Sequence, residues 1–138
     1  MLSYNDVKGY LTTALDALDY DPLPVFDPGP GSDPTVQDLS PNMMVIITLT
    51  PGAGLDMEEV FDRPGFQIRS IGPQQDYGAA EKLAQDIDRA LVALDQSQSI
   101  NGKWTLSVVR SGGSPALLLS DDGDRYHFTC NYIWEVQY

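Results

Sequence analysis

The chain has 138 residues, 42% of them hydrophobic, a length typical of one domain and sufficient to build an apolar core without disulfides or metals. It carries 8 lysines and arginines against 20 aspartates and glutamates, a formal charge of −12. That excludes a basic nucleic-acid-binding surface, while seven tyrosines, four phenylalanines and two tryptophans supply core material that a disordered acidic chain lacks.

No apolar run approaches the roughly 18 to 20 residues needed to span a bilayer, and the longest, 43–49, is interrupted by Thr48. The start, Met1-Leu2-Ser3-Tyr4-Asn5-Asp6, has neither the basic residues nor the apolar stretch of a secretory signal, so a soluble cytoplasmic product without membrane contact is expected. The single cysteine, Cys130, can form no internal disulfide.

In chain order, residues 3–20 space Val7, Leu11, Ala14, Leu15 and Leu18 at three- and four-residue steps, which predicts an amphipathic helix with Ser3 as N-cap and Asp6 in its first turn. Pro22 ends it by Asp21. Residues 21–41 hold six of the ten prolines and no basic residue, and they read as one long loop tacked down by Val25, Phe26 and Val36. Residues 43–50 are apolar on both faces, as in a central strand, and Pro51-Gly52-Ala53-Gly54 reads as its stop.

Phe66-Gln67-Ile68-Arg69-Ser70 alternates as a second strand behind the breaker Arg63-Pro64-Gly65. Residues 76–94 are the clearest helix: Asp76 caps it, Ala80, Leu83, Ile87, Ala90, Leu91 and Leu94 line one face, and Glu81, Lys82, Gln85, Asp86, Asp88 and Arg89 line the other. A polar connection, 95–102, leads to strands at 104–108 and 115–119, and 126–138 alternates throughout with its even residues inward. The order predicts an α+β fold over residues 1–138 as a single domain, with a mainly antiparallel sheet of about five strands and two helices packed on one face.

Catalytic signals are few. His127, the one histidine, sits on the polar side of the last strand and reads as exposed, and Cys130 reads as a small core residue. Asp121-Asp122-Gly123-Asp124 lacks the ligand order of a calcium loop, having Thr129 where the distal glutamate would stand, and reads as a turn. Gly29-Pro30-Gly31 and Gly52-Ala53-Gly54 lack the lysine and hydroxyl residue of a phosphate loop. Asp56, Glu58, Glu59 and Asp62 are close enough for paired-carboxylate or metal chemistry, but no histidine joins them and a solvated acidic loop explains them. The expectation is no cofactor, no metal and no catalytic residue.

Two stretches resemble a known family: 62–72, Asp-Arg-Pro-Gly-Phe-Gln-Ile-Arg-Ser-Ile-Gly, leading through Asp76-Tyr77 into the helix Ala79-Ala80-Glu81-Lys82-Leu83-Ala84, and 124–132, Asp-Arg-Tyr-His-Phe-Thr-Cys-Asn-Tyr. With the first helix and the 45–49 strand they are similar to the tail terminator proteins of long-tailed bacteriophages, also called minor capsid or tail-completion proteins. The resemblance implies a virion protein at the head-tail junction, assembled in the host cytoplasm. On that resemblance it would form a homohexameric ring that caps the tail tube, stops its growth and meets the head-completion or stopper protein.

Genomic DNA would pass through such a ring unbound, and an acidic wall repels phosphate, so Asp56, Glu58 and Glu59 are the channel-facing candidates. The nearest alternatives are a head-closure or tail-tube subunit, and from another class a small metal-dependent enzyme built on the acidic cluster.

Overall fold

The structure is a computed structural model that describes residues 3–20, 22–28, 43–56, 61–94, 98–100, 102–120 and 124–137. Helix α1 (Tyr4–Asp16) starts at Ser3 with a reciprocal cap: the Asp6 amide donates to Ser3 Oγ at 3.3 Å and the Ser3 amide donates to Asp6 Oδ2 at 2.7 Å. The helix is shorter than its periodicity predicts. The chain leaves it through Asp19 at φ 63°, which puts Leu18 beyond the helix and half exposed rather than on its apolar face.

Seven strands follow or flank the second helix: β1 (Val25–Pro28), β2 (Met44–Asp56), β3 (Phe61–Ile71), then α2 (Tyr77–Val92), β4 (Gln98–Ile100), β5 (Lys103–Arg110), β6 (Ala116–Ser120) and β7 (Tyr126–Gln137). They form one sheet in the order β1-β2-β3-β7-β5-β4, with β6 hydrogen-bonded to β7. The fold is α+β as expected, but among the described residues the sheet has seven strands rather than five and is mixed, because β1 pairs parallel to β2.

Two short strands account for the difference, β1 inside the expected loop and β4 inside the expected polar connection. Residues 29–41 of that loop and 95–97 of the connection lie outside the described residues. The glycine-rich stop at 51–54 is also overturned, because β2 continues through it to Asp56. Between the pairs Thr50↔Gly65 and Gly54↔Arg63 the β2 side holds two extra residues, so the irregularity is taken up as a bulge while the pairing goes on.

The expected breaker at 63–65 likewise lies inside β3. In the register of the described residues Pro64 is skipped by both neighbours, which is how a residue without an N–H is accommodated in a sheet interior.

Both helices lie on one face. Val7, Leu11 and Leu15 of α1 and Leu83, Ile87 and Leu91 of α2 pack with Val45, Ile47, Phe66, Ile68, Val108 and Cys130, Tyr132, Trp134 and Val136 of β7 in one cluster, while Phe128 packs with Ala80 and Ala84 in another. At its centre Phe66 stacks on Tyr132 (5.4 Å between centroids), and Trp134 donates Nε1–H to Thr105 Oγ1 at 2.8 Å. Between β3 and α2 the backbone comes close: a Cβ on Gly72 would stand 2.4 Å from the Ala80 Cβ.

The opposite face is less open than its polar pattern predicts. Val25, Met44, Ile71 and His127 stand in one cross-strand row, and Met44, Ile46 and Ile71 form a second buried cluster. His127 in that row is 1% exposed, which corrects the expectation of an exposed strand residue. No helix among the described residues is long and apolar enough to cross a membrane.

Candidate assembly surface

The β2–β3 hairpin carries the acidic segment singled out in the sequence. Asp56 is the last residue of β2 and lies opposite Phe61, and Asp62 lies opposite Leu55. The two strand ends therefore bring the backbones of Asp56 and Asp62 to one end of the hairpin. The Asp56 side chain, and Glu58 and Glu59 altogether, lie outside the described part of the structure.

Elsewhere several of the basic side chains are paired with carboxylates. Arg110 holds Asp88 with two hydrogen bonds, Nε to Oδ1 at 2.8 Å and a terminal nitrogen to Oδ2, and Tyr132 donates its hydroxyl to the same Oδ1 at 3.0 Å. Lys82 Nζ sits 2.6 Å from Asp86 Oδ2, which also accepts from the Tyr20 hydroxyl at 2.5 Å. Arg63 pairs with Glu135 across β3 and β7, and Arg125 is buried. Asp16, Asp19, Asp76 and Asp124 are exposed, so much of the surplus charge faces solvent.

Asp86 and Asp88 correct the sequence reading, which put them on the outer face of α2. They flank Ile87 at the border of the buried stripe and are covered by side chains from remote segments. Burial alone would raise the Asp88 carboxyl. The hydrogen bonds from Arg110 and Tyr132 and the guanidinium charge outweigh it and hold the carboxyl below its ordinary value. Burial pushes the Tyr132 hydroxyl well above the usual tyrosine range, so it stays a proton donor to Asp88. This network joins α2 to β5 and β7.

Among the described residues no three His, Cys, Asp or Glu side chains gather to hold a metal ion. Cys130 is the buried core residue expected, its Sγ 3.5 Å from the Gly113 carbonyl oxygen, and burial raises its thiol pKa. An open groove of about 360 Å³ runs between Asn5, Gly9 and Thr13 of α1 and Ser99 and Ile100 of β4. The one carboxylate beside it, Asp6, is committed to the helix cap.

Sequence reasoning did not pick out the apolar patch at the N-terminal end of α2. Tyr77 packs edge-on against Tyr126 (5.1 Å) and Phe128 (5.4 Å), and Leu117 of β6 stands opposite Phe128. Tyr77, Leu117 and Leu118 are 43%, 49% and 45% exposed. Adjacent exposed apolar groups of this size mark contact surfaces.

The family model for bacteriophage tail terminator proteins matches residues 34–138. The chain belongs to the bacteriophage tail terminator family. Solved structures agree on the fold. A chain from the virion of a native gene transfer agent particle is similar over 99% of this protein and 100% of its own length, with a TM-score of 0.54 at 16% identity. Another solved chain, which carries no functional name, is similar over 100% and 98%, with a TM-score of 0.55 at 14% identity. No curated protein is significantly similar in sequence. Membership of the terminator family makes this a structural protein of the phage tail and places it in the virion.

Proposed function

We propose that the protein acts as a homohexameric ring at the head-proximal end of the tail. There it caps the tail tube, ends its growth and offers a docking surface to the head-completion protein, without enzymatic activity. The observation that carries this reading is the terminator-family match across residues 34–138. The physical chemistry is consistent with it. A surface with exposed aspartates and a net charge of −12 gathers no phosphate contacts, so DNA can move past it without being held.

In this reading Asp56, Glu58 and Glu59, at the end of the β2–β3 hairpin, face the channel. One face of the sheet holds both helices, which leaves the loops for contacts with neighbours.

The direct test adds purified protein to tail-tube subunits polymerising in vitro. Growth is expected to stop, with six-fold rings at one end of each tube in electron micrographs. Tubes that keep lengthening in the presence of excess protein would overturn the reading.

A further inference from the structure

Arg69 lies on β3, in the interior of the sheet, on the face opposite the helices, and it is partly buried there. Its cross-strand row runs Asp27, Ile46, Arg69, Thr129 and Ala116 through β1, β2, β3, β7 and β6. Among the described residues its guanidinium makes no hydrogen bond and no ion pair. The other described arginines are placed differently: Arg63 meets Glu135, Arg89 lies 4.0 Å from Asp86, Arg110 holds Asp88, and Arg125 is buried.

The chain has 20 acidic residues, yet none stands next to Arg69 on this face. Ile46 and Thr129 flank it in its own row. The row on one side holds Thr48, Gln67 and Asn131, and the row on the other holds Met44, Ile71 and His127. The acid of its own row, Asp27, is two strands away, about 10 Å, and Glu135 lies about 20 Å along the strands and is already paired with Arg63. A partly buried guanidinium loses hydration that only an outside partner can replace here, and its planar fork of N–H donors matches a carboxylate or a phosphate.

Two features decide between those anions. The positive spot is a single charge in a chain of −12, so a polyanion would bring its further phosphates against acidic surface, whereas one carboxylate would not. Beyond the row of Gln67 and Asn131, Val109 stands opposite Ile133 on the same face and is 46% exposed, a place for an apolar side chain beside the carboxylate. A second copy would carry its own −12, so the complementary partner is a different protein.

We propose that this face docks a segment of another protein through one carboxylate held by Arg69. The side-chain amides of Gln67 and Asn131 donate beside it, and an apolar residue next to the partner's acid rests on Val109 and Ile133. The assignment does not depend on the ring.

The test is an NMR titration of the isotope-labelled full chain with a synthetic peptide that carries one glutamate between two valines. Peptide at up to about 5 mM is expected to shift the Arg69 Nε–H, the side-chain amides of Gln67 and Asn131 and the methyls of Val109 and Ile133, and the glutamine counterpart should bind at least about tenfold more weakly. Arg69→Gln is expected to lose the same binding with an unchanged melting temperature, since it breaks no contact within the chain. No shift at these groups, equal shifts with the glutamine peptide, or a clear fall in the melting temperature of Arg69→Gln would overturn the proposal. Shifts produced by a DNA duplex and not by the peptide would overturn it by assigning the site to phosphate. Shifts that grow with protein concentration alone would do so by assigning the face to a second copy.

Discussion

Removing the Asp88 carboxylate tests the claim that a buried charge network, rather than packing alone, fixes α2 to the sheet. Asp88 is 5% exposed and Tyr132 is 1% exposed, whereas the Arg110 side chain keeps 39% of its surface in water. In Asp88→Ala the Tyr132 hydroxyl loses its acceptor with no water to replace it, at about 1–3 kcal/mol. Arg110 keeps much of its surface in water and rehydrates, so its lost partner adds little. The expected destabilisation is therefore about 1–3 kcal/mol in urea unfolding. Tyr132→Phe should cost about 1 kcal/mol, because Asp88 keeps Arg110. The double variant should be more stable than the sum of the two losses by about 1–2 kcal/mol, since no orphaned hydroxyl remains. Strict additivity, or an Asp88→Ala cost under about 0.5 kcal/mol, would refute the network's role.

The same carboxyl sets a pH dependence. Its folded pKa lies below the unfolded value of about 3.9, so its contribution is complete above that value and is lost as the pH falls through the folded pKa. Acid titration of stability should therefore fall less steeply below about pH 4 in Asp88→Asn than in the wild type. Gly72→Ala puts a methyl against the Ala80 Cβ and backbone, and should cost about 1–3 kcal/mol in chemical denaturation. Asp76→Ala removes the acceptor of the Ala79 amide (3.0 Å) at the start of α2, and should cost about 1 kcal/mol in the same assay. Neutralising Asp56, Glu58 and Glu59 to Asn, Gln and Gln should leave stability within about 0.5 kcal/mol and ring formation intact. It should raise DNA retention by the ring at low salt, and unchanged retention would remove these residues from the channel wall.

The strands legible in the sequence were those whose alternation runs long enough to show, above all β7, and both helices were marked by their caps, Ser3 and Asp76. What escaped was set by neighbours distant in the chain. The β1 and β4 segments are four and three residues long, too short to carry a period, and exist because β2 and β5 offer edges. Gly52, Gly54 and Pro64 are breakers in isolation, but the β2–β3 ladder takes them up at an irregularity. The burial of Asp86 and Asp88 depends on Tyr20, Arg110 and Tyr132, from 22 to 66 positions away. His127 is buried and stands in register with Ile71 of β3 and Leu119 of β6, neighbours that its own strand's pattern does not reveal. The hairpin acids were visible in the sequence, whereas the exposed leucines of β6 became distinctive only once β7 was seen to cover one side of the strand.

The central claim is that this chain ends tail growth, and tail length measures it directly. Electron microscopy of particles from the encoding phage, with this reading frame interrupted and then restored in trans, should show overlong tails free of filled heads, reverting to one defined length on restoration. Tails of normal length in the interrupted phage, whether joined to heads or not, would contradict it.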